Sequence, residues 1–173
     1  MAMILPLTIL GLDPGLRHTG WGLVTQEGNR LSFVAAGRIS PDPALPMAAR
    51  LCELASALSD VVAEHAPDEA AIEETFVNKN AASALKLGQA RGAAMLTLAQ
   101  AGLSVAEYAA NRIKQSITGY GHADKTQIQA MIAMLLPGSG KLATDAADAL
   151  AVAITHAHHR PVLTAARMAG AKA

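Results

Sequence analysis

From Ala149 to Ile154 the chain reads Ala-Leu-Ala-Val-Ala-Ile without one polar side chain, and Ala146 and Ala147 carry that run back to two acids, Asp145 and Asp148. A helix this apolar has to be largely buried. Its opening is then the difficulty, because two carboxylates three residues apart share one helix face and need counter-charge when they enter an interior. Acids in a first helical turn are also favoured by the helix dipole, by about 0.3 to 1 kcal/mol each, so the pair alone does not establish a site.

Two further acids end strand-like runs. Asp13 follows the apolar stretch Leu7 to Leu12 and precedes Pro14-Gly15, and Glu73, with Glu74 beside it, ends Ala70 to Glu73. One fold can bring all four carboxylates to a common edge, where they repel unless divalent cations lie between them. Oxygen ligands without a His or Cys cluster favour Mg²⁺ or Mn²⁺ over Zn²⁺, and paired ions of that kind serve phosphoryl transfer. Each acid keeps an ordinary reading: Asp-Pro-Gly is a common turn, and Glu73 is a strand-end charge that periodicity cannot separate from Glu74 on a strand buried on both sides. Gly11 and Gly15 would let backbone approach a phosphate closely.

At 173 residues the chain fits one domain,. Hydrophobic residues make up 51% and aromatics only 3%, so the core must be built from Ala, Leu, Ile and Val. Cys52 is the single cysteine, which excludes an internal disulfide and a cysteine zinc site; a place in the core is expected for it,. The apolar N-terminus lacks a basic leader and reads as a first strand, and no run reaches membrane-spanning length, so a cytoplasmic protein is expected. Net charge is zero, yet Thr75 to Ala130 holds six basic residues (Lys79, Lys86, Arg91, Arg112, Lys114, Lys125) against Glu107 and Asp124, so the working surface is more positive than the total,.

Turn residues and apolar spacing predict strands at Leu7 to Leu12, Thr19 to Thr25, Leu31 to Ile39, Ala70 to Glu73 and Leu103 to Tyr108. They predict helices at Met47 to His65, Asn80 to Gln100, Asn111 to Ile117, from Asp124 to Leu136 behind a capping box with Gln127, and from an N-cap at Thr144 to about His159. Gly102 is expected as a left-handed cap. The order β-β-β-α-β-α-β-α-α-α describes a mixed sheet flanked by helices. Gly140-Lys141 is no phosphate loop, because Leu142 stands where Ser or Thr is required,. His156, His158 and His159 read as helix-end residues that suit the dipole. Phe76, beside Asn78-Lys79-Asn80, suits stacking on an unpaired base, with a core role as the alternative; Lys114 and Lys125 flank a glycine-bearing turn, with plain solvation as theirs,.

The stretches Ile9-Leu10-Gly11-Leu12-Asp13-Pro14-Gly15, Ala71-Ile72-Glu73, Ala84-Leu85-Lys86-Leu87-Gly88-Gln89-Ala90-Arg91-Gly92 and Asp145-Ala146-Ala147-Asp148-Ala149-Leu150-Ala151 resemble the bacterial RuvC Holliday junction resolvases over nearly the whole chain. The resemblance implies an α/β, RNase H-like fold with a five-stranded mixed sheet flanked by helices on both faces; residues 1–160 are expected to form this nuclease domain, and the Ala-rich remainder, 161–173, a flexible tail. It implies a homodimer that makes paired nicks in four-way DNA junctions in recombination and repair, alongside the RuvA and RuvB branch-migration proteins. The family's four acidic ligands fall on Asp13, Glu73, Asp145 and Asp148, which selects Glu73 over Glu74; its stacking aromatic falls on Phe76 and its basic residues near the scissile phosphate on Lys114 and Lys125. Lys79 joins these as a DNA-binding candidate.

The expected chemistry is phosphodiester hydrolysis with two Mg²⁺ ions per site, Mn²⁺ substituting, in which one ion activates water and the other stabilises the leaving 3′ oxygen. Asp13 would bridge both ions. Two rivals stand beside it. Gly11 to Gly15 followed by Thr19-Gly20 also resembles the first phosphate motif of actin-like kinases, which need a second domain, and a junction-binding module without activity would favour basic residues over carboxylates.

Overall fold

The computed structural model describes residues 6–74 and 80–170. Its elements follow the order read from the sequence: β1 Leu7–Asp13, β2 Thr19–Glu27, β3 Arg30–Ile39, α1 Met47–His65, β4 Glu69–Glu74, α2 Ala81–Gln100, β5 Val105–Ala109, α3 Ala110–Thr118, α4 Lys125–Leu135 and α5 Thr144–Gly170. The strands form one sheet in the order β3-β2-β1-β4-β5. Hairpin partners β1 and β2, and β2 and β3, run antiparallel, while β4 and β5 join through helical crossovers and run parallel to β1,.

Helices cover both faces. Ile9, Val24 and Ala71 point into a core shared with α3, α4 and α5, whereas Leu10, Leu12, Leu23, Ala70 and Ile72 point into a second core with α1 and α2. The side-chain alternation of a strand decides this division, and it fixes which face each terminal acid takes. The apolar run in α5 is enclosed as its composition requires: Leu150, Val152 and Ile154 are fully buried.

Glycines set how closely α5 approaches the sheet. A Cβ at Gly11 would overlap the Ala149 carbonyl, one at Gly20 the Asp145 carbonyl, and one at Gly22 the Leu150 side chain. Gly11 is therefore accounted for by helix packing and not by approach of a phosphate, as the sequence had suggested. Small residues on both partners bring the helix axis down onto β1 and β2, and with it the acids at the helix start.

Several boundaries carry their expected signals. Asp124 and Gln127 form the reciprocal capping box, at 2.9 and 3.0 Å, and Gly102 is left-handed with φ of 81°. Others differ. The first bond of α5 joins the Ala147 N–H to the Ala143 carbonyl, so Thr144 is inside the helix and does not cap it. The helix also passes His159 and continues through Pro161 to Gly170. Proline has no N–H to offer the Ala157 carbonyl; the side-chain amide of Gln26 donates to that oxygen instead, at 3.2 Å. Cys52, expected in the core, lies exposed on α1. No helix among the described residues is long and apolar enough to cross a membrane.

Candidate active site

The carboxyl ends of two adjacent parallel strands form the floor of the site. Leu12 pairs with Ile72, so Asp13 and Glu73 follow side by side at the ends of β1 and β4. Glu73 has the parity of Ala71 and lies on the α5 face; Glu74 has the parity of Ala70 and Ile72 and belongs to the α1 and α2 face,. The pleat thus separates two neighbours that periodicity alone leaves equivalent.

A cleft of about 600 Å³ opens over these ends, lined by Asp13, Glu73, Asp148, Lys114, Lys125 and Asp124, with Ile113, Ile128 and Ala151 as its apolar wall. Lys114 comes from α3, Lys125 from the first residue of α4 and Asp148 from the first turns of α5. Lys125 Nζ stands 3.7 Å from Asp148 Oδ2. Asp145 takes another course: its carboxylate pairs with Arg38 of β3 at 3.8 Å and lines a second groove beside the loop after β1.

The charges in the cleft are out of balance. Burial raises the Asp13 carboxyl most, and the neighbouring charges of Glu73 and Asp148, a hydrogen bond to Glu73 and the charge of Asp145 add to it, pushing its pKa up to about 8. Burial also raises Glu73, while the hydrogen bond from Asp13 acts in the opposite direction. Both shifts favour the neutral form, and a proton held between the Asp13 and Glu73 carboxyls relieves their mutual repulsion,. Asp148 is raised by burial against the pull of Lys125.

This donor set fits a hard divalent cation: the carboxylates of Asp13, Glu73 and Asp148 line one cleft that has no His or Cys in its lining,. Among the described residues no three ligating side chains are drawn onto a single ion position. Asp145 pairs instead with Arg38 and Asp148 with Lys125.

Comparison with known proteins decides the family. The family model described as "Crossover junction endodeoxyribonuclease RuvC" matches residues 9–156. The chain belongs to the RuvC family. Relatives named crossover junction endodeoxyribonuclease RuvC include one from Rhodopseudomonas palustris (strain BisA53), 57% identical over 96% of this chain and 95% of its own. Another from Azorhizobium caulinodans is 60% identical over 89% of this chain and 91% of its own. The fold superposes on Thermus thermophilus RuvC, solved in complex with a Holliday junction substrate, with a TM-score of 0.84, 29% identity and coverage of 91% and 97%. The yeast mitochondrial Holliday junction resolvase shares the fold at a TM-score of 0.63 and 9% identity, covering 89% and 83%.

Of the candidate residues, Asp13, Glu73, Asp148, Lys114 and Lys125 meet in one cleft, and Asp145 stands beside it on Arg38. Phe76 and Lys79 lie outside the described residues. Two arginines escaped the sequence reading. Arg91, counted there as surface charge, donates from Nε to the Glu73 carbonyl at 3.1 Å and pairs with Glu107, so it anchors the strand end that presents Glu73. Arg38 carried no signal at all, because only the fold brings β3 against the start of α5. The histidines also differ from expectation: His156 is buried, accepts from Tyr108 and donates to Glu69, both at 2.9 Å, and burial lowers its pKa. It is a neutral core group, with no role for the helix dipole.

Proposed function

We propose that Asp13, Glu73, Asp145 and Asp148 are the catalytic acids of this crossover junction endodeoxyribonuclease and its ligands for two Mg²⁺ ions, with Mn²⁺ as a substitute, and that residues 1–160 form the nuclease domain. The observation that carries the reading is geometric: the carboxylates of Asp13, Glu73 and Asp148 line one cleft together with the ammonium groups of Lys114 and Lys125, oxygen donors for cations beside positive charge for a phosphate,. Divalent cations bound there supply Lewis acidity for water attack on phosphorus and for departure of the 3′ oxygen.

The chain's own groups do the rest. Asp13 gives up its proton as the site loads, and the strand-end anchor from Arg91 keeps Glu73 in register with it. Lys125, held by Asp148, and Lys114 across the cleft present ammonium groups where the scissile phosphate would lie, which positions it without a covalent intermediate. The apolar wall of Ile113 and Ile128 keeps the dielectric low around these charges,.

A four-way DNA junction is the substrate under this reading, cut by paired symmetric nicks. Two nicks require two sites, and the α2 surface supports a homodimer: Leu85 and Leu96 are exposed, and a Cβ at Gly88 or Gly92 between them would meet nothing. The strip is not packed against the chain's own sheet. Handover from RuvA and RuvB, and a cytoplasmic location, follow from the same family reading. Phe76 and Lys79 are proposed to contact the opened junction. Nicking of a synthetic four-way junction in Mg²⁺, absent in EDTA and absent in Asp148→Asn with junction binding retained, tests the assignment; Mg²⁺-independent cutting would refute it.

A further inference from the structure

The acids have a second basic flank that the cleft does not include. On the side away from Lys114 and Lys125, a groove of about 540 Å³ is lined by Arg17 and His18 from the loop after β1, Arg50 from α1, Lys86 and Ser83 from α2, and Asp145 itself. Three cations thus face a single carboxylate, and Arg38 already pairs with that carboxylate. Asp145 ties the groove to the other acids electrostatically, since its charge acts on both Asp13 and Asp148.

The loop is built to hold its shape. The Thr19 hydroxyl donates to the Gly15 carbonyl at 2.8 Å and accepts from the Gly15 N–H at 3.2 Å, closing the loop on itself. Arg50 Nη2 donates to the Leu16 carbonyl at 3.1 Å and fixes it to α1. His18 Nδ1 bonds with the Ser40 hydroxyl at 2.9 Å. A side chain at Gly15 would run into the His18 carbonyl, so the tight form is the one this sequence adopts. Arg17 and Lys86 are both exposed, and both line the groove. Preorganised cations spaced along a groove match a polyanion whose charges recur along its length.

Resting on the reading of the chain as a junction nuclease, we infer that this groove binds the phosphodiester backbone of the DNA strand that crosses the acids, with Arg17 and Lys86 as direct phosphate contacts. The strand is then gripped on both sides of the cut, by Lys114 and Lys125 on one flank and by this groove on the other. None of these groove cations lies at the far end of the sheet, where Arg30 begins β3.

The test is the salt dependence of binding to a fluorescent synthetic four-way junction in EDTA, from 50 to 200 mM salt. Each lost phosphate contact lowers the slope of log affinity against log salt by about 0.9. Arg17→Ala with Lys86→Ala should lower it by about 2, Arg17→Lys with Lys86→Arg should restore it, and Arg30→Ala should leave it unchanged. A wild-type slope in the double alanine variant, with a wild-type melting temperature and wild-type nicking in Mg²⁺, overturns the inference and leaves the nuclease reading intact. A wild-type protein that neither binds nor nicks the junction overturns both.

Discussion

Replacing Asp13 by Asn removes one titrating group while keeping its shape, and the metal-free protein should report the change as an altered pH dependence of stability. The folded pKa of Asp13 is about 8 against an ordinary 3.8. Because it is raised, the folded chain retains a proton that the unfolded chain has already released, and stability falls as pH climbs from about 4 through 8. At about 1.4 kcal/mol per pK unit the ceiling is near 6 kcal/mol. Proton sharing with Glu73 and water at the open side of the cleft reduce it, and we expect about 2 kcal/mol. For a chain of this size that is roughly 4 to 8 °C in melting temperature. In EDTA, then, wild type should lose that much between pH 5 and 9 relative to Asp13→Asn, with Asn the more stable at pH 9. Millimolar Mg²⁺ should remove the difference by stabilising the ionised site. Parallel melting curves for the two proteins across this range in EDTA would refute the shared-proton reading.

Three further outcomes follow from the packing and the proposed contacts. Gly20→Val, which drives a side chain into the start of α5, should cost about 3 kcal/mol or more and lower the melting temperature,. Gly88→Leu, which meets open space, should leave the fold stable and abolish the proposed dimer in light scattering; a dimer that still makes both nicks would contradict the α2 interface. Phe76→Ala should slow cleavage of intact junctions about tenfold, as expected from a stacking contact of 1 to 3 kcal/mol, with melting unchanged; destabilisation with full activity per folded dimer would make Phe76 a core residue.

Local chemistry made the fold legible. Turn residues such as Pro14-Gly15 and Gly28-Asn29, and the Asp124 to Gln127 box, placed most elements within a few residues. What stayed hidden depends on long-range contact. Nothing near Pro161 signals that Gln26, far away in sequence, will satisfy the carbonyl proline leaves bare. Gly11 looked like a phosphate-approach residue because its partner, Ala149, is distant in the chain. Glu73 and Glu74 could be separated only by knowing which core each neighbour enters. His156 sits in a run that reads as a helix end until Tyr108 and Glu69 close around it. Acids at element ends were visible; the arginines that hold them, Arg38 and Arg91, were not, since a lone arginine on a strand or helix has the same local signature wherever it points.

Which side chains hold the chemistry is tested most directly by cleavage of a synthetic four-way junction mapped to the nucleotide. With Mg²⁺, wild type should make symmetric paired nicks, and Glu74→Gln should cut at a rate near wild type. Glu73→Gln should fall by at least several hundred-fold, the scale of several kcal/mol of lost transition-state stabilisation, while binding the junction as tightly as wild type or more so. Near-normal cutting by Glu73→Gln together with loss in Glu74→Gln would place the catalytic carboxylate on the other face of β4 and contradict the site described here.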